Sequence, residues 1–520
     1  MHDWTTTVSL ALGCSVVLYI GRKALRTRTP YPLPPGPPGL PWAGNVIGVN
    51  ADAPWLTYIE WAKTYGDLVY SRLLGNDIII INSEKIAKDL LEIRSRNYSD
   101  RPNFITLELS GQEFTSSFMP YGDRWRLHRR FFHQTYRLDA VHRFFPYLHR
   151  RACLLLQQLL ETPEKLNEHI IEYTASVVLN SAYDYEPAPR KDELIEIVTN
   201  VSDIVVPTLR PDISILMGAF PWLLYLPSWF PGMSIKRDMA VARAYVKDYL
   251  ERPFEYALQK EVIGSVAPSM VHDALRTLEE DGISPEESWM KGLKEASGTA
   301  FLVASETSNS AVLAFFLMML VNPAVQEKAQ AQIDAVVGRD RLPGMDDRPS
   351  LPYIDAIFRE TLRYSPIAPL SVPHVAVNDD VYNGYHIPKG TLLLANLWFV
   401  SMAHDESRYP NADTFIPERF LNDDGSLKPD DTEHIKFGFG RRICVGRHFA
   451  DTSVWAVIAK VLAAYKILKP LDEHGVEIPV EPVFSAGIVV HPLPFKCRII
   501  PRFEGANAES LAQLIAASTA

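Results

Sequence analysis

The feature that most limits how this chain can fold is a long, unbroken helical segment in its second half. The segment begins near Ser284, is followed by Pro285, and meets no further proline until Pro323. Ser284 is the predicted N-cap, and proline suits the first turn of a helix. An α-helix of about 37 residues is roughly 55 Å long at 1.5 Å per residue, several times the average length. The sequence therefore predicts a helix that crosses one large, mainly helical domain.

A polar patch lies in the middle of this segment. Apolar residues at 301–304 are followed by hydroxyl, acidic and amide side chains at 305–310, and apolar residues then resume. Burying such groups costs free energy unless partners or water compensate, so the patch predicts a polar pocket. We also expect Thr307 to donate a hydrogen bond to the Val303 carbonyl and to loosen the helix enough to admit a small ligand. The alternative, an exposed helix face, would require polar residues at regular positions along the whole helix.

Helical periodicity dominates the rest of the chain. Helices are predicted over 55–65, 139–161, 165–183, 235–260 and 324–337, and strands over 68–71, 78–81, 374–377, 392–395 and 483–500. The fold class is mainly α with a smaller β portion. Because no linker interrupts the middle of the chain, we predict a single domain over 42–505. A C-terminal tail at 506–520 follows this domain.

Composition argues against several classes of protein. A net charge of −10 gives no overall basic field to attract nucleic acid. Four cysteines in 520 residues are too few for a disulfide framework, and no Cys-x-x-Cys pair indicates zinc. These features favour a domain in a reducing compartment.

The N-terminus predicts a transmembrane anchor at 4–21, where no charged residue occurs. About 18 residues at 1.5 Å each give roughly 27 Å, close to the ~30 Å hydrocarbon core of a bilayer. Arg22 and Lys23 follow directly, which places the C-terminal side in the cytosol. The alternative is a cleaved signal peptide, whose basic residues should come first. The next segment, 22–41, is basic and then proline-rich, and we predict a stop sequence followed by a stiff, extended hinge.

A single thiol near the C-terminus stands in a loop suited to metal binding. Cys444 follows Arg441 and Arg442, and glycines occupy positions 438, 440 and 446. Neighbouring cations lower the pKa of a thiol and so favour the thiolate that binds metals. Glycines let backbone amides approach and donate hydrogen bonds to the sulfur. The alternatives are a buried structural cysteine and a phosphate loop, but the second lacks a third glycine and a preceding strand.

This loop resembles the haem-binding loop of the cytochrome P-450 family, Phe-x-x-Gly-x-Arg-x-Cys-x-Gly, with every fixed position filled. The resemblance covers nearly the whole chain from the hinge to about Arg502. It implies the cytochrome P-450 fold, haem b as cofactor, Cys444 as iron ligand, and insertion of one atom of O2 into a hydrophobic small molecule. The implied cofactor-binding residues are Trp125, Arg129, His374, Phe437, Gly438, Arg442 and Gly446.

Further motifs are similar to those of the same family. Glu306 and Thr307 match its proton-delivery pair, although Val303 and Ala304 stand where smaller residues are usual. The resemblance implies a buried structural triad of Glu360, Arg363 and Arg419. By family position, the implied substrate pocket contains Phe301, Ala304, Ser305, Leu370 and Ile488.

The resemblance also implies a partner and a location. No nicotinamide or flavin fingerprint occurs in the chain, so electrons would come from NADPH through a separate cytochrome P-450 reductase. A local basic face suits docking of that acidic donor, and its predicted members are Arg126, His128, Arg130, Lys436, Arg441 and Arg447. The anchor and hinge resemble those of microsomal members, which implies the endoplasmic reticulum membrane with the catalytic domain facing the cytosol. The haem loop is similar to that of fungal secondary-metabolism members, and among their substrates we favour a terpenoid.

Two other functions stay open at this point. A haem-thiolate isomerase or dehydratase would use neither O2 nor a reductase, and the altered Val303-Ala304 is compatible with it, whereas Glu306-Thr307 argues against it. A haem carrier or membrane adaptor without catalysis would not require a proton-delivery patch.

Overall fold

The computed structural model describes residues 30–41, 43–209, 211–264, 266–398, 406, 408–430 and 433–518. The predicted anchor at 4–21 and the basic residues after it lie outside the described residues. The α-helices span Pro54–Tyr65, Glu84–Lys88, Ser95–Tyr98, Ile105–Ser110, Asp123–Tyr136, Leu138–Val141, Phe145–Glu161, Leu166–Tyr183, Glu193–Val205, Pro211–Ala219, Ile235–Ile263, Met270–Glu280, Glu287–Val321, Pro323–Val336, Pro352–Tyr364, Glu433–Phe437, Arg447–Ala464 and Ala508–Ala516. Helix is thus the main structure of the described part of the chain, as predicted.

The strands form small sheets beside the helices. They are β1 (Leu68–Leu73), β2 (Asn76–Ile81), β3 (His374–Val375), β4 (Asp380–Tyr382), β5 (Tyr385–Ile387), β6 (Leu392–Ala395), β7 (Tyr465–Leu468) and β8 (Arg498–Pro501). The largest sheet has the order β1-β2-β6-β3, with β2 and β6 parallel and the other pairs antiparallel. Within the predicted strand region 483–500, only β8 is a strand, and Phe484 and Pro492 form an isolated bridge.

The long helix is Glu287–Val321, and we keep the name long helix for it. It begins after Glu286, so the prediction of Ser284 as its N-cap is wrong. The helix remains α through its middle, without the loosened turn expected at Thr307. It is long and apolar enough to cross a bilayer, but 72% of its most apolar window is buried inside the protein. It is therefore the central core helix, and its apolar residues pack against the surrounding helices.

The proline-rich segment is extended, but it does not behave as a free spacer. Its Pro35 carbonyl accepts a hydrogen bond from the Tyr70 amide of β1 at 2.8 Å, and Pro32 accepts one from His386 of β5 at 2.7 Å. A Cβ on Gly36 would lie 1.8 Å from the Tyr70 carbonyl oxygen. Residues without a side chain or an amide hydrogen thus let this segment lie directly against the sheets.

The C-terminal tail also packs against the domain. Its helix, Ala508–Ala516, is capped by the Asn507 side chain, which accepts a hydrogen bond from the Ser510 amide. Leu511 is fully buried, Leu514 is nearly so, and both belong to the main core. The helix therefore contributes apolar burial to the catalytic domain.

Candidate haem site

The backbone of the loop before Cys444 requires glycine. Gly438 and Gly440 have φ values of 81° and 53°, in the left-handed region. A Cβ on Gly440 would also lie 2.2 Å from the Leu91 carbonyl oxygen. The Cys444 amide donates a hydrogen bond to the Phe437 carbonyl at 2.8 Å and closes the loop. The thiol is therefore fixed in place by a turn that side chains at these two glycines would disrupt.

The Cys444 thiol is accessible but poorly hydrated. Its side chain has exposed surface, yet the surrounding protein atoms raise its pKa by desolvation, as happens where a group faces an interior surface instead of bulk water. A backbone hydrogen bond from Gly446 and the charges of Arg129 and Arg447 act in the opposite direction and lower the pKa. The sequence analysis had predicted that Arg441 and Arg442 lower the pKa of Cys444. Their side chains are instead directed to other groups, with Arg441 Nη1 donating to the Tyr121 hydroxyl at 3.1 Å.

Arg129 and Arg442 meet around Trp125. Arg442 donates to the carbonyls of Ser99 and Met119 at 2.8 and 2.9 Å, and its guanidinium carbon lies 4.4 Å from the centroid of the Trp125 ring. Arg129 Nη1 donates to the Ile443 carbonyl at 2.6 Å. Burial lowers the pKa of both groups, that of Arg442 to about 10, and Arg129 lowers the pKa of Arg442 further. Both cations are thus held close together in a poorly solvated site.

Arg101 belongs to the same cluster, although no sequence pattern had singled it out. It donates to the carbonyls of Val372 and Pro373 at 2.7 and 2.8 Å. Burial and the charge of Arg442 hold its pKa well below the usual range. His374 Nδ1 lies 2.6 Å from the Tyr98 carbonyl, and burial and Arg101 hold the pKa of His374 well below its usual value. The imidazole is therefore neutral, and the carbonyl partner assigns the proton to Nδ1.

The charge of this cluster tests whether haem fits the site. Among the residues that the structure describes, Arg101, Arg129 and Arg442 form no ion pair with a carboxylate, and the acceptors given above are carbonyls. Asp100 acts on Arg101 and Arg442 through its charge alone and raises the pKa of both against the effect of burial. Unpaired buried cations are costly, whereas charge-assisted bonds to carboxylates are strong. Haem brings two propionates and an iron that a thiolate can bind. The donor set around Cys444 therefore fits haem.

The middle of the long helix presents two different faces. Thr307 Oγ1 donates to the Val303 carbonyl at 2.9 Å, as the sequence predicted. Val303, Ala304 and Thr307 are only partly buried, although most of the helix around them is buried. The Glu306 side chain points away from Thr307 and towards His491. Its Oε1 lies 2.8 Å from Nε2 of His491, a residue that the sequence analysis had not selected.

The five predicted pocket residues have different surroundings in the structure. Phe301 is fully buried and packs edge-on against Tyr183 and Tyr249, and its assignment to the substrate pocket stays a prediction. Ser305 lies beside Glu306 in a cavity lined by other helices. Leu370 and Ile488 are buried in two separate apolar clusters. Ala304 alone of the five lies beside Thr307 with accessible surface. The helix is apolar on most sides, so its sequence could not indicate which side faces the pocket.

The predicted structural triad is assembled as expected from the motif. Arg363 donates to both oxygens of Glu360, at 2.7 and 2.9 Å, and both side chains are fully buried. Arg419 Nε donates to Glu360 Oε1 at 3.1 Å. Glu360 also accepts from the Ile416 amide at 2.7 Å. The triad thus ties helix Pro352–Tyr364 to the segment around Arg419.

The predicted basic face is smaller than the sequence suggested. Arg126, Arg130 and Arg441 are exposed. His128 is fully buried, and its Nδ1 lies 2.7 Å from the Ser116 hydroxyl. The Lys436 ammonium is buried against Asp430 at 2.5 Å. Arg447 is only 27% exposed and pairs with Glu433 at 2.6 Å. Three of the six predicted members therefore remain exposed, and one of these, Arg126, pairs with Asp123.

Residues 34–499 match the family Cytochrome P-450. The chain is 38% identical over 515 residues to cytochrome P-450 monooxygenase claR of Ampulloclitocybe clavipes, which covers 98% of this chain and 93% of the relative. It is 38% identical over 476 residues to cytochrome P-450 monooxygenase ple1 of Rhodocybe pseudopiperita, covering 90% of each. It is 35% identical over 502 residues to tryptamine 4-monooxygenase of Psilocybe cyanescens, covering 95% and 97%.

These relatives are named monooxygenases, and the family implies a haem cofactor and electrons from a redox partner. The mainly helical fold, the Cys444 loop and the match over most of the chain all indicate the same family. The chain therefore belongs to the cytochrome P-450 family of oxidoreductases.

Proposed function

We propose that this chain is a haem-thiolate monooxygenase in which Cys444 is the iron ligand and a hydrophobic small molecule is the substrate. The main support is the cluster of Arg101, Arg129 and Arg442, three cations that form no ion pair with a carboxylate among the described residues, in the part of the fold that holds the Cys444 loop. A bound haem supplies the oxygen-activating redox chemistry. The cluster would hold its propionates. His374 is the fourth residue proposed beside them, but its one proton on Nδ1 bonds the Tyr98 carbonyl, so in the neutral state Nε2 can only accept a hydrogen bond.

The chain's own residues would prepare the thiolate. The Gly446 amide hydrogen bond and the charges of Arg129 and Arg447 all favour the ionised sulfur. Iron coordination would overcome the desolvation that raises the pKa of the free thiol, because a coordinating thiol loses its proton. Amide hydrogen bonds to a bound sulfur also tune the potential of the metal.

Thr307 is the proposed last proton donor at the site. The Val303 carbonyl accepts its hydroxyl proton, so the oxygen lone pairs stay available to accept another hydrogen bond. A side chain held in this way can exchange one proton for another without moving its oxygen. Glu306, the next residue, is the proposed source of that proton.

We propose a terpenoid of fungal secondary metabolism as the substrate class. Val303 and Ala304 offer apolar surface beside Thr307, which suits a hydrophobic skeleton. One relative is named tryptamine 4-monooxygenase, and an indole amine is therefore the competing candidate for the substrate.

We further propose that 4–21 anchors the chain in the endoplasmic reticulum membrane, with the catalytic domain facing the cytosol. The uncharged stretch followed by Arg22 and Lys23 supports this orientation. NADPH-cytochrome P-450 reductase is the proposed electron donor. Arg126, Arg130 and Arg441 supply exposed positive charge to which an acidic donor could be steered.

The test begins with the purified full chain, reduced with dithionite and saturated with carbon monoxide. We expect the red-shifted Soret band of a thiolate-bound haem, and its loss in Cys444→Ser. The chain is then combined with the reductase, NADPH, 18O-labelled O2 and a panel of terpenes and tryptamines. Products carrying one labelled oxygen, formed only with NADPH, support the proposal. Turnover without NADPH would indicate the isomerase instead, and a Soret band unchanged in Cys444→Ser would reject the ligand.

A further inference from the structure

Arg101 and Arg442, two of the cations beside the Cys444 loop, both donate to one short turn. We give this turn, residues 116–119, the name carbonyl turn. Arg101 Nε donates to its second carbonyl at 3.0 Å, and Arg442 donates to its first and last carbonyls at 3.4 and 2.9 Å. A guanidinium group carries five N–H donors in a fixed fork, so bonds to some of them set the direction of the rest. The direction of both cations therefore depends on where the carbonyl turn lies.

The carbonyl turn is anchored through its first residue, Ser116. The Ser116 hydroxyl lies 2.7 Å from Nδ1 of His128, and the Ser116 amide donates to the Thr299 hydroxyl at 3.4 Å. His128 is fully buried, and Ser116 and Thr299 are nearly so. A buried polar group that loses its partner destabilises the protein, so these bonds hold firmly. Helix Asp123–Tyr136, which carries His128, and the long helix, which carries Thr299, thus both fix the turn.

A buried carboxylate stands behind His128. Glu295 Oε2 lies 3.4 Å from His128 Nε2, and Arg124 donates to both Glu295 oxygens, at 2.9 and 2.8 Å. Lys291 Nζ lies 4.0 Å from the same carboxylate. Burial raises the pKa of Glu295, but the hydrogen bonds from His128 and Arg124 outweigh burial and lower the pKa below its ordinary value. Glu295 is therefore an anion in the folded protein.

The carboxylate determines which nitrogen of His128 carries a proton. An ionised carboxylate can only accept a hydrogen bond, so the proton lies on Nε2. In the neutral ring Nδ1 then accepts from the Ser116 hydroxyl, and in the protonated ring Nδ1 donates to the hydroxyl oxygen. The bond between His128 and Ser116 forms in both cases, so this anchor does not require one protonation state.

A serine, a histidine and an acid in this order also form the nucleophilic sites of hydrolases. A nucleophile of that kind must reach its substrate. Here Arg124 occupies both oxygens of Glu295, and the Ser116 side chain is enclosed in the core. The arrangement therefore suits holding a backbone segment in place, and not attack on a substrate.

We propose that His128 is a positioning residue of the haem site, which fixes the carbonyl turn through Ser116 and thereby directs Arg101 and Arg442 at the propionates. The inference rests on the proposed function and adds to it a buried link from Glu295 to the two cations. Well-directed cations balance the propionate charges and so favour the reduced iron, which has one positive charge fewer. A displaced carbonyl turn would weaken this balance and would also loosen the haem.

The first test measures how firmly haem is held. Haem transfer from the purified full chain to an excess of apomyoglobin is followed for Ser116→Ala, His128→Leu and the double variant. We expect each single substitution to speed transfer by at least about threefold, because each removes the same buried hydrogen bond. The double variant should be no more than about 1.5-fold faster than the faster single variant, because the two residues act in one link. Rate increases that multiply in the double variant would overturn the link.

Ser110 provides the matched control. It is a fully buried serine shortly before the carbonyl turn, and its hydroxyl donates to the Leu107 carbonyl of its own helix at 3.2 Å. Because that bond does not involve the turn, Ser110→Ala should change the transfer rate by less than about 1.5-fold. Equal rates for Ser110→Ala and Ser116→Ala would reject the role of the Ser116 hydroxyl.

The second test uses the ferric–ferrous midpoint potential, which general loosening of the fold alone would not shift in a fixed direction. We expect Ser116→Ala and His128→Leu each to lower the equilibrium constant for reduction by at least about threefold, because the propionate charges are balanced less well. His128→Asn places an amide group near the position of Nδ1, and it should restore both the potential and the transfer rate. An unchanged potential in Ser116→Ala would reject the positioning role. If His128→Leu fails to fold, Ser116→Ala and His128→Asn decide the outcome.

These outcomes separate the two proposals. A chain that shows the Soret band but gives no labelled product would reject the monooxygenase, while transfer rates and potentials would still report on His128. An intact band and labelled product, with Ser116→Ala equal to its control, would reject only the role of His128. A purified full chain that binds no haem would reject both.

Discussion

Glu360 and Arg363 form a fully buried ion pair with two hydrogen bonds, Nε to Oε2 at 2.7 Å and Nη2 to Oε1 at 2.9 Å. The two residues are three apart on one helix and therefore face the same side. Arg419 adds a second cation to the same carboxylate from a segment 59 residues away in sequence. The structure of this region thus depends on one buried negative charge with two partners.

Removing the negative charge of Glu360 should strongly destabilise the folded protein. We expect Glu360→Gln to lower the free energy of unfolding by about 3 to 5 kcal/mol, because it leaves two buried guanidinium groups without their anion. Glu60 and Lys63 have the same spacing but are 67% and 64% exposed, which makes Glu60→Gln the matched control. An exposed pair contributes about 0 to 1 kcal/mol. Chemical denaturation and haem content per chain measure both variants, and equal losses in the two would contradict the role of burial.

Arg101 should decide how firmly haem is held. We expect Arg101→Leu to speed haem loss by about 10- to 100-fold, because in the proposed site it removes one buried donor to a propionate. The measurement is transfer of haem to an excess of apomyoglobin, followed by absorbance. Arg96 is exposed on a nearby helix, and Arg96→Leu provides the control for loss of a positive charge. Equal transfer rates for these two variants would remove Arg101 from the propionate site.

His374 should make the haem-free chain sensitive to acid. Its pKa is held well below the ordinary value, so the folded state does not take up a proton where the unfolded state does. Stability from this group is therefore present above about pH 6.5 and is lost as the pH falls below it. We expect His374→Asn to reduce the slope of unfolding free energy against pH, between pH 6 and 5, by up to about 1.4 kcal/mol per unit.

The control for this slope is His474, which is 77% exposed. Substitution of His474 by asparagine should leave the slope close to that of the unaltered chain. A slope in His374→Asn equal to that of the control would show that the imidazole is not kept neutral by the fold.

The C-terminal helix should stabilise the whole domain. We expect Leu511→Ala to cost about 2 to 5 kcal/mol, as other buried leucines do, because its side chain is fully buried in the main core. Gln513 on the same helix is exposed, and Gln513→Ala should change stability by less than about 0.5 kcal/mol. Thermal unfolding of the two variants compares them directly. A Leu511→Ala protein as stable as Gln513→Ala would mean that the helix detaches without consequence.

Sequence periodicity located most of the fold because long amphipathic or apolar stretches leave few alternatives. The predicted helix at 165–183 is observed as Leu166–Tyr183, and that at 235–260 as Ile235–Ile263. The predicted helix at 139–161 is interrupted by a 3₁₀ turn, His142–Phe144, before Pro146 in the first turn of the next helix. A local pattern cannot fix such a boundary, since either start satisfies the same apolar spacing.

The site was less accessible to sequence reasoning where it depends on distant segments. Arg101 lies in an irregular stretch, and its partners Val372 and Pro373 are about 270 positions away, with no spacing rule to connect them. His491 reaches Glu306 from the C-terminal part of the chain in the same way. The directions of Arg441 and Arg442 also depend on carbonyl and hydroxyl groups from other segments. The Cys444 motif, by contrast, is local, because its glycines and thiol are fixed by consecutive backbone angles.

The contact between Pro35 and the Tyr70 amide sets a boundary for shortening the chain. A truncated variant that starts at Tyr31 keeps both proline carbonyls that bind the sheets, whereas one that starts at Pro37 leaves an amide of β1 and an amide of β5 without their acceptors. Anything fused ahead of this point must leave the protein beside these two strands. The path by which the chain enters the domain is therefore governed by a few prolines and one glycine, and not by the length of what precedes them.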